Sequence, residues 1–451
     1  MPRVPYLAAF GLACLAGCAS GVSTVEEMDT AMNEVLAQGL DAPSDGKAAA
    51  QSKVGLSKGF SSALHDAVVV NDGYITAQAY EEEALAGVKI AKSARRVQTG
   101  ANLTVGGIRE GSPVLETSLG GSGDVSISQL VYDGGAAGGG INRATAAAIA
   151  ARSDRLDRGN LIALEAGRAW IDTWQANERL ALLRHKTRDL DDLMGQMDRM
   201  VANGMIDRAT VENAKRQLLD IKLEQTGLEA ARAEAAVRFE QYFKQDADQI
   251  ARPAEIVKPA VARARVGEWE NAPALKRSVA EIFAAKGAAQ EAKSAFKPRV
   301  SLQAGVTSPM DPGDTTDLSA GLRIQYVFND GGRRKSQLEA AEKRVLALES
   351  QFAEVQRGTK AEIDGSIVRL GALETSMPLV DEKVKLAASE AEVARSQIAT
   401  GQANLRQLIS AEIENYRACD QQIQMQSERL ILLLTIAART GYLTDVIGLK
   451  P

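Results

Sequence analysis

Between residues 301 and 326 apolar and polar side chains take turns. Leu302, Ala304 and Val306 alternate with Ser301, Gln303, Gly305 and Thr307, and after a loop Leu318, Ala320, Leu322, Ile324 and Tyr326 alternate with Ser319, Gly321, Arg323 and Gln325. A period of two predicts strands with one apolar and one polar face. Pro309, Pro312 and Gly313 supply the turn chemistry between them. A fainter copy lies upstream, with Leu103 and Val105 on one strand, Val125 and Ile127 on the next, and REGSPVLETSLGGSG between. Each strand is about 9–11 residues long, the length a tilted strand needs to cross a bilayer. Period alone does not separate such strands from a soluble hairpin.

Downstream of each strand pair the period changes. Leu338, Ala341, Val345, Leu348, Phe352 and Val355 step by three and four, as a coiled-coil seam does. Leu190, Leu193, Met197 and Met200 do the same before Gly204, so this Met and Leu stripe reads as packing surface. From about residue 141 to 201 no proline intervenes, and a continuous helix there would measure roughly 90 Å. Gly204 and Gly401 each break such a run, which predicts a reversal into an antiparallel partner helix.

These elements belong to an internal repeat. VYDGG (131–135) and VFNDGG (327–332) align at an offset of 197 (331 − 134), which also carries Asn203-Gly204 onto Thr400-Gly401 and Ala214 onto Ala411. Upstream, AKSARRV (91–97) parallels AKSAFKPRV (292–300). Two repeats, 60–250 and 274–440, therefore each run helix, two strands, long helix, turn, long helix. Their β-hairpins fall at about 101–132 and 299–328. The segment 251–273, with three prolines, reads as a connector with little regular structure, and 441–451 as a tail. The fold class expected is mainly α with a small β part: long antiparallel helical hairpins plus four membrane strands per chain.

Composition narrows the picture. Aromatics are only 4% of 451 residues, so an ordinary globular core is not expected. A formal charge of −5 and no basic stripe give no case for nucleic acid, and two histidines, His65 and His185, leave little for metal or acid–base chemistry. Arg3 precedes an apolar run, Val4 to Ala16, too short to span a bilayer and suited to a signal peptide over 1–17. Leu15-Ala16-Gly17-Cys18 resembles a bacterial lipobox, which implies a lipid anchor on Cys18, and Ala19 after it points to the outer membrane. A lipid-anchored segment would then run from 18 to 59. Cys419 is left as the one unmodified cysteine, in the stripe Ile409, Ile413, Tyr416, Cys419, Ile423, where a buried small apolar residue is expected.

Four strands cannot close a barrel in lipid without leaving edge groups unsatisfied, so the chain must oligomerise to make a wall, with three copies giving twelve strands. Helices continuing from the strands would extend that wall as a duct with a wet lumen. A strand followed by GGAAGGG (134–140) superficially suggests a dinucleotide turn, but that signal needs a parallel βαβ unit. Here the strands form hairpins and the second copy reads RRKSQ after its glycines. Neither an enzyme, a cofactor nor a metal site is expected.

NAPALKRSVAEIFAAKGAAQEAKSAFKPRVSLQAGV (271–306), VFNDGGRRKSQLEAA and ANGMIDRATVENAKRQL together resemble the TolC-like outer-membrane efflux protein family (outer membrane factors) over about residues 60–440. The resemblance implies a homotrimer with a twelve-stranded β-barrel continuous with a periplasmic helical tunnel. It implies no chemistry, docking onto a periplasmic adaptor, and an inner-membrane RND or ABC transporter as pump. The family often narrows its periplasmic mouth with charges near the helical turns, for which Asp207, Arg208 and Arg406 beside Gly204 and Gly401 are the candidates. Thr210 and Ala403 depart from the family there, standing where an acid and a base are frequent. Tyr132, Gly134, Gly135, Phe328, Gly331 and Gly332 would form the two strand-to-helix corners. The competing expectation is a lipid-anchored periplasmic coiled-coil adaptor without a pore.

Overall fold

The computed structural model describes residues 32, 54–56, 59–109, 117–203, 207–247, 250–309, 315–399 and 405–449. The chain divides into Met1–Ser52 and Lys53–Pro451, and the fold below is that of the second unit. Cys18, Gly204 and Gly401 lie outside the described residues, as does the segment 1–17 expected to be a signal peptide.

The two repeats fold alike. In the first, helix α2 (Asp72–Ser93), after α1 (Phe60–Val69), leads into β1 (Gln98–Arg109), β2 (Thr117–Tyr132), α3 (Ala136–Ala202) and α4 (Arg208–Phe243). After α5 (Pro259–Arg265), the second runs α6 (Pro273–Ser294), β3 (Arg299–Pro309), β4 (Asp317–Gln325), α7 (Arg333–Ala399) and α8 (Leu405–Arg439), closed by α9 (Tyr442–Ile447). Helices α3 and α7 have 67 residues each, about 100 Å of helix at 1.5 Å per residue. Chains this long hold their helices by packing rather than by propensity. Leu183, Leu190 and Met197 of α3 are buried with Val211, Leu218, Ile221, Ile409 and Tyr416 from α4 and α8.

The strands form one antiparallel sheet in the order β1-β2-β3-β4. At the opposite end of the α4 hairpin sits the main core. Trp170 packs edge-on to Phe60 at 5.4 Å and to Phe243 at 5.5 Å, while Phe239 and Phe243 stack at 4.4 Å. With aromatics so scarce, gathering four of them here concentrates burial at one joint.

Three expectations need correction. The connector 251–273 is more regular than its prolines suggest: Pro259 starts α5, where a missing N–H costs nothing, and Ala260 and Ala264 bury one helical turn apart in the main core. A 3₁₀ turn, Glu268–Asn271, follows. Within the segment read as a tail, residues 441–449 are folded in, because Leu443, Ile447 and Leu449 are buried in that same core. Cys419 is only half-buried, its thiol 3.7 Å from Asn415 Oδ1, and burial pushes its pKa up.

Candidate functional site

The first candidate surface is the sheet itself. Cross-strand register places Ala101, Val125, Val306 and Leu318 in one row, and Thr99, Ile127, Ala304 and Ala320 in the next. The large apolar residues of this face are exposed, with Leu318 at 81%, Ile324 at 69% and Leu322 at 64%. The other face carries Asn102, Asp124, Ser126, Ser128, Gln303, Arg323 and Gln325, and Asn102 Nδ2 donates to Asp124 Oδ2 at 3.1 Å. A sheet with apolar side chains on one face and hydrogen-bonding groups on the other, covered on neither, suits hydrocarbon outside and water inside. No described helix is long and apolar enough to cross a membrane, a statement that leaves strands untouched.

Each outer pair of strands turns into a long helix through the same corner. Gly134 and Gly135 adopt φ +70° and +104°, and Gly331 and Gly332 adopt +67° and +91°. Such left-handed backbone favours glycine over any side chain with a Cβ. The preceding acid does the rest. Asp133 Oδ1 accepts from Gly135 N at 3.0 Å and Oδ2 from Ala137 N at 2.6 Å. Asp330 repeats this on Gly332 N at 3.1 Å and Arg334 N at 3.0 Å. The carboxylates thus satisfy N–H groups of the first helical turn, where the helix dipole also favours negative charge. Desolvation works to raise the Asp330 pKa, but the Arg334 amide and guanidinium outweigh it and hold the carboxyl below its usual range. Arg334 Nη1 donates back to Ala295 O at 3.2 Å, fastening α7 to the end of α6.

The aromatics differ between corners. Tyr132 ends β2, paired with Val300 beyond an irregularity at Leu130/Tyr132. β4 stops at Gln325, so Phe328 lies outside the strand, 89% exposed and edge-on to Tyr326 at 4.9 Å. The expected hairpin end at 328 therefore holds only in the first copy's equivalent. β2 has a neighbour on both sides, whereas β4 has one.

On the polar side, below the sheet, lies an open cleft of about 880 Å³. Its wall includes Glu83, Arg143, Glu291, Lys297, Arg299 and Gln325, charges of both signs at the junction of strands and helices.

At the far ends of the helices, Asp207 occupies the N-cap position of α4 without a side-chain cap bond, and Asp207 and Arg208 are exposed. Arg406, on the first turn of α8, lines a cavity of about 210 Å³ with Asn213, Gln217 and Ile409. The fold therefore brings Arg406 against the first hairpin, while Asp207 and Arg208 are not part of that cavity.

Between the hairpins lies a group of charges built around the buried Lys186, Glu412 and Asp420, which no single-helix pattern marks. Lys186 Nζ meets Glu412 Oε2 at 2.6 Å, and Arg395 Nη2 reaches the other oxygen at 2.5 Å. Arg179 forks onto Asp420 at 2.6 and 3.1 Å. The Tyr416 hydroxyl donates to Glu224 at 2.6 Å, and burial together with that bond raises its pKa. The signal was present as Glu412, Tyr416 and Asp420, spaced by four along α8, opposite Arg179 and Lys186, spaced by seven along α3. Among the described residues no group of His, Cys, Asp and Glu could hold a metal ion.

Residues 268–442 match the outer membrane efflux protein family. Several solved structures share the fold across most of the chain. A structure of CusC, whose reported subject is folding and transmembrane channel formation, superposes with a TM-score of 0.74 at 12% identity, covering 84% of this chain and 91% of CusC. A membrane protein from Pseudomonas aeruginosa gives 0.74 at 16% identity, covering 84% and 92%. The outer membrane protein VceC from Vibrio cholerae gives 0.73 at 16%, covering 84% and 95%. A comparison with curated proteins gives no significant match. The resemblance read from the sequence is thus supported in the second repeat by sequence and over most of the chain by fold.

Proposed function

We propose that this chain, whose residues 268–442 match the outer membrane efflux protein family, is the outer-membrane exit duct of a tripartite export system. One observation carries the reading: a four-stranded sheet, apolar on one face and polar on the other, runs through two glycine corners into helices of 67 residues. Three copies would close a twelve-stranded barrel, and α3, α4, α7 and α8 would prolong it into the periplasm. The duct performs no reaction. Its polar strand face and charged cleft offer a wet path, and its energy comes from a partner. That partner is an inner-membrane RND or ABC transporter coupled through a periplasmic adaptor. Cys18 carries a lipid that tethers the N-terminus at the periplasmic face. Asp207, Arg208 and Arg406 stand at the periplasmic end as the gate.

A pore-free coiled-coil adaptor is the alternative. The exposed apolar rows of the sheet weigh against it, because a soluble protein rarely leaves so contiguous an apolar surface in water. Cell fractionation separates the two readings: outer-membrane sedimentation with a heat-labile oligomer supports the duct, and a soluble or inner-membrane monomer overturns it.

A further inference from the structure

The polar face of the sheet changes sign along its length. Register sets Asn102, Asp124, Thr307 and Asp317 side by side in one row across the four strands. Six residues back along β3, Ser301 pairs with Arg323, and two further back Arg299 pairs with Gln325. The acids therefore lie toward the strand ends remote from the helices, and the arginines lie where the strands meet them. The two rows between these levels, through Gly305 and Gln303, hold only glycine, serine and glutamine.

These charges are not spent on one another. Asp124 accepts from Asn102 Nδ2 at 3.1 Å, while Asp317, Arg299 and Arg323 are exposed and form no ion pair among the described residues. On the cleft just below, Arg143 and Glu291 pair at 3.3 Å and Asp133 is engaged by its cap bonds. That leaves Glu83 against Lys297 and Arg299, so the arginine level keeps its positive sign.

Spacing decides whether the two levels cancel. Six residues of strand rise about 20 Å, and a tilt of about 40° leaves roughly 15 Å along a barrel axis. The screening length at physiological salt is only ~8 Å, so each level presents its own sign to the lumen. Twelve strands spaced about 4.8 Å apart at that tilt give a backbone radius of roughly 12 Å. Side chains reaching inward from there bring a permeating ion within about one screening length of each ring it passes.

We infer that these four residues determine which cargo the duct passes. Arg299 and Arg323 form an anion-attracting girdle at the base of the barrel, and Asp124 and Asp317 form a cation-attracting girdle nearer its outer mouth. The inference rests on the duct reading above and adds a substrate class to it. A polyanion is repelled by the outer girdle and a polycation by the inner one, and the repulsion grows with each further charge of that sign. Neutral and zwitterionic molecules carry no net charge for either girdle to repel. The lumen therefore favours neutral or zwitterionic cargo over polyanions and polycations.

Ion selectivity of the full-length oligomer tests the girdles apart from the duct. Protein is added to one chamber of a planar bilayer, so that the long polar helices stay on that side, and reversal potentials are read across a KCl gradient at low salt. D124N/D317N should lower the cation-to-anion permeability ratio several-fold, and R299Q/R323Q should raise it several-fold. Ratios that stay at the wild-type value, or move the same way in both variants, overturn the girdles while the conducting duct stands. A wild-type oligomer that inserts and carries no current overturns both. A second measurement needs no substitution. Spermine added to the far chamber should block the wild-type current, and tripolyphosphate at the same concentration should not; equal block by the two, or block by neither, contradicts an acidic girdle near the outer mouth.

Discussion

Replacing Gly134 by alanine tests whether the corner is a fixed joint. Its φ of +70° lies in the left-handed region, where a residue with a Cβ costs about 1–2 kcal/mol. The new Cβ would also sit 2.6 Å from Lys297 Cβ and 3.0 Å from Ser294 O. Both are close to or part of the backbone, so relief requires moving β3 or the end of α6, and overpacking of this kind costs about 1–3 kcal/mol. The sum is roughly 2–5 kcal/mol. At Gly331, φ +67°, an added Cβ would meet nothing within 4 Å in the single chain, leaving only the backbone cost of about 1–2 kcal/mol. G331A should therefore cost less than G134A. The assay is thermal dissociation of the detergent-solubilised oligomer, followed by urea unfolding of the dissociated chain. G134A should weaken both more than G331A does, and valine at either position should impair assembly further because a β-branched residue tolerates positive φ worst. Wild-type behaviour of G134A in both assays would refute the joint.

Three other outcomes follow from named contacts. Glu412→Gln leaves Lys186 buried without its carboxylate and should cost about 3–5 kcal/mol in chemical unfolding, with much of the loss recovered when Lys186→Met is added; an unaffected single variant would count against a buried pair. The lowered pKa of Asp330 means its contribution to stability is full above the ordinary carboxylate range and disappears as pH falls through the folded-state value. Oligomer melting measured from neutral to acid pH should therefore fall less steeply in Asp330→Asn than in wild type, and parallel curves would contradict the cap. Alanine at Arg406, or at Asp207 or Arg208, should raise the leak conductance of the reconstituted channel, whereas unchanged leak would remove that residue from the gate.

Much of the fold was legible because the signals were periodic. The alternation from Leu302 to Gln325 marks strands whatever surrounds them, and heptad steps such as Leu338 to Val355 mark helices. The glycine pairs were legible as corners because both copies needed them, but their acid was read only as part of a motif. Its role as a cap on Gly135 and Ala137 depends on backbone direction after the turn. The buried charges at Lys186, Glu412, Arg179 and Asp420 were hidden because single-helix patterns do not say which other helix lies opposite. Pro259 misled for a local reason, since proline ends a helix or begins one depending on a single position. For Arg406 the sequence offered a place near a turn, and the fold adds its neighbours Asn213 and Gln217.

The central claim is that copies of this chain enclose a continuous water-filled path lined by the polar strand face. Single-channel recording of the purified oligomer in a planar bilayer tests it most directly. Discrete, ohmic current steps that shrink when Gln303→Trp narrows the polar face, and stay unchanged with Leu322→Trp on the apolar face, are the expected result. An oligomer that inserts but passes no current, or whose current ignores both substitutions, would contradict it.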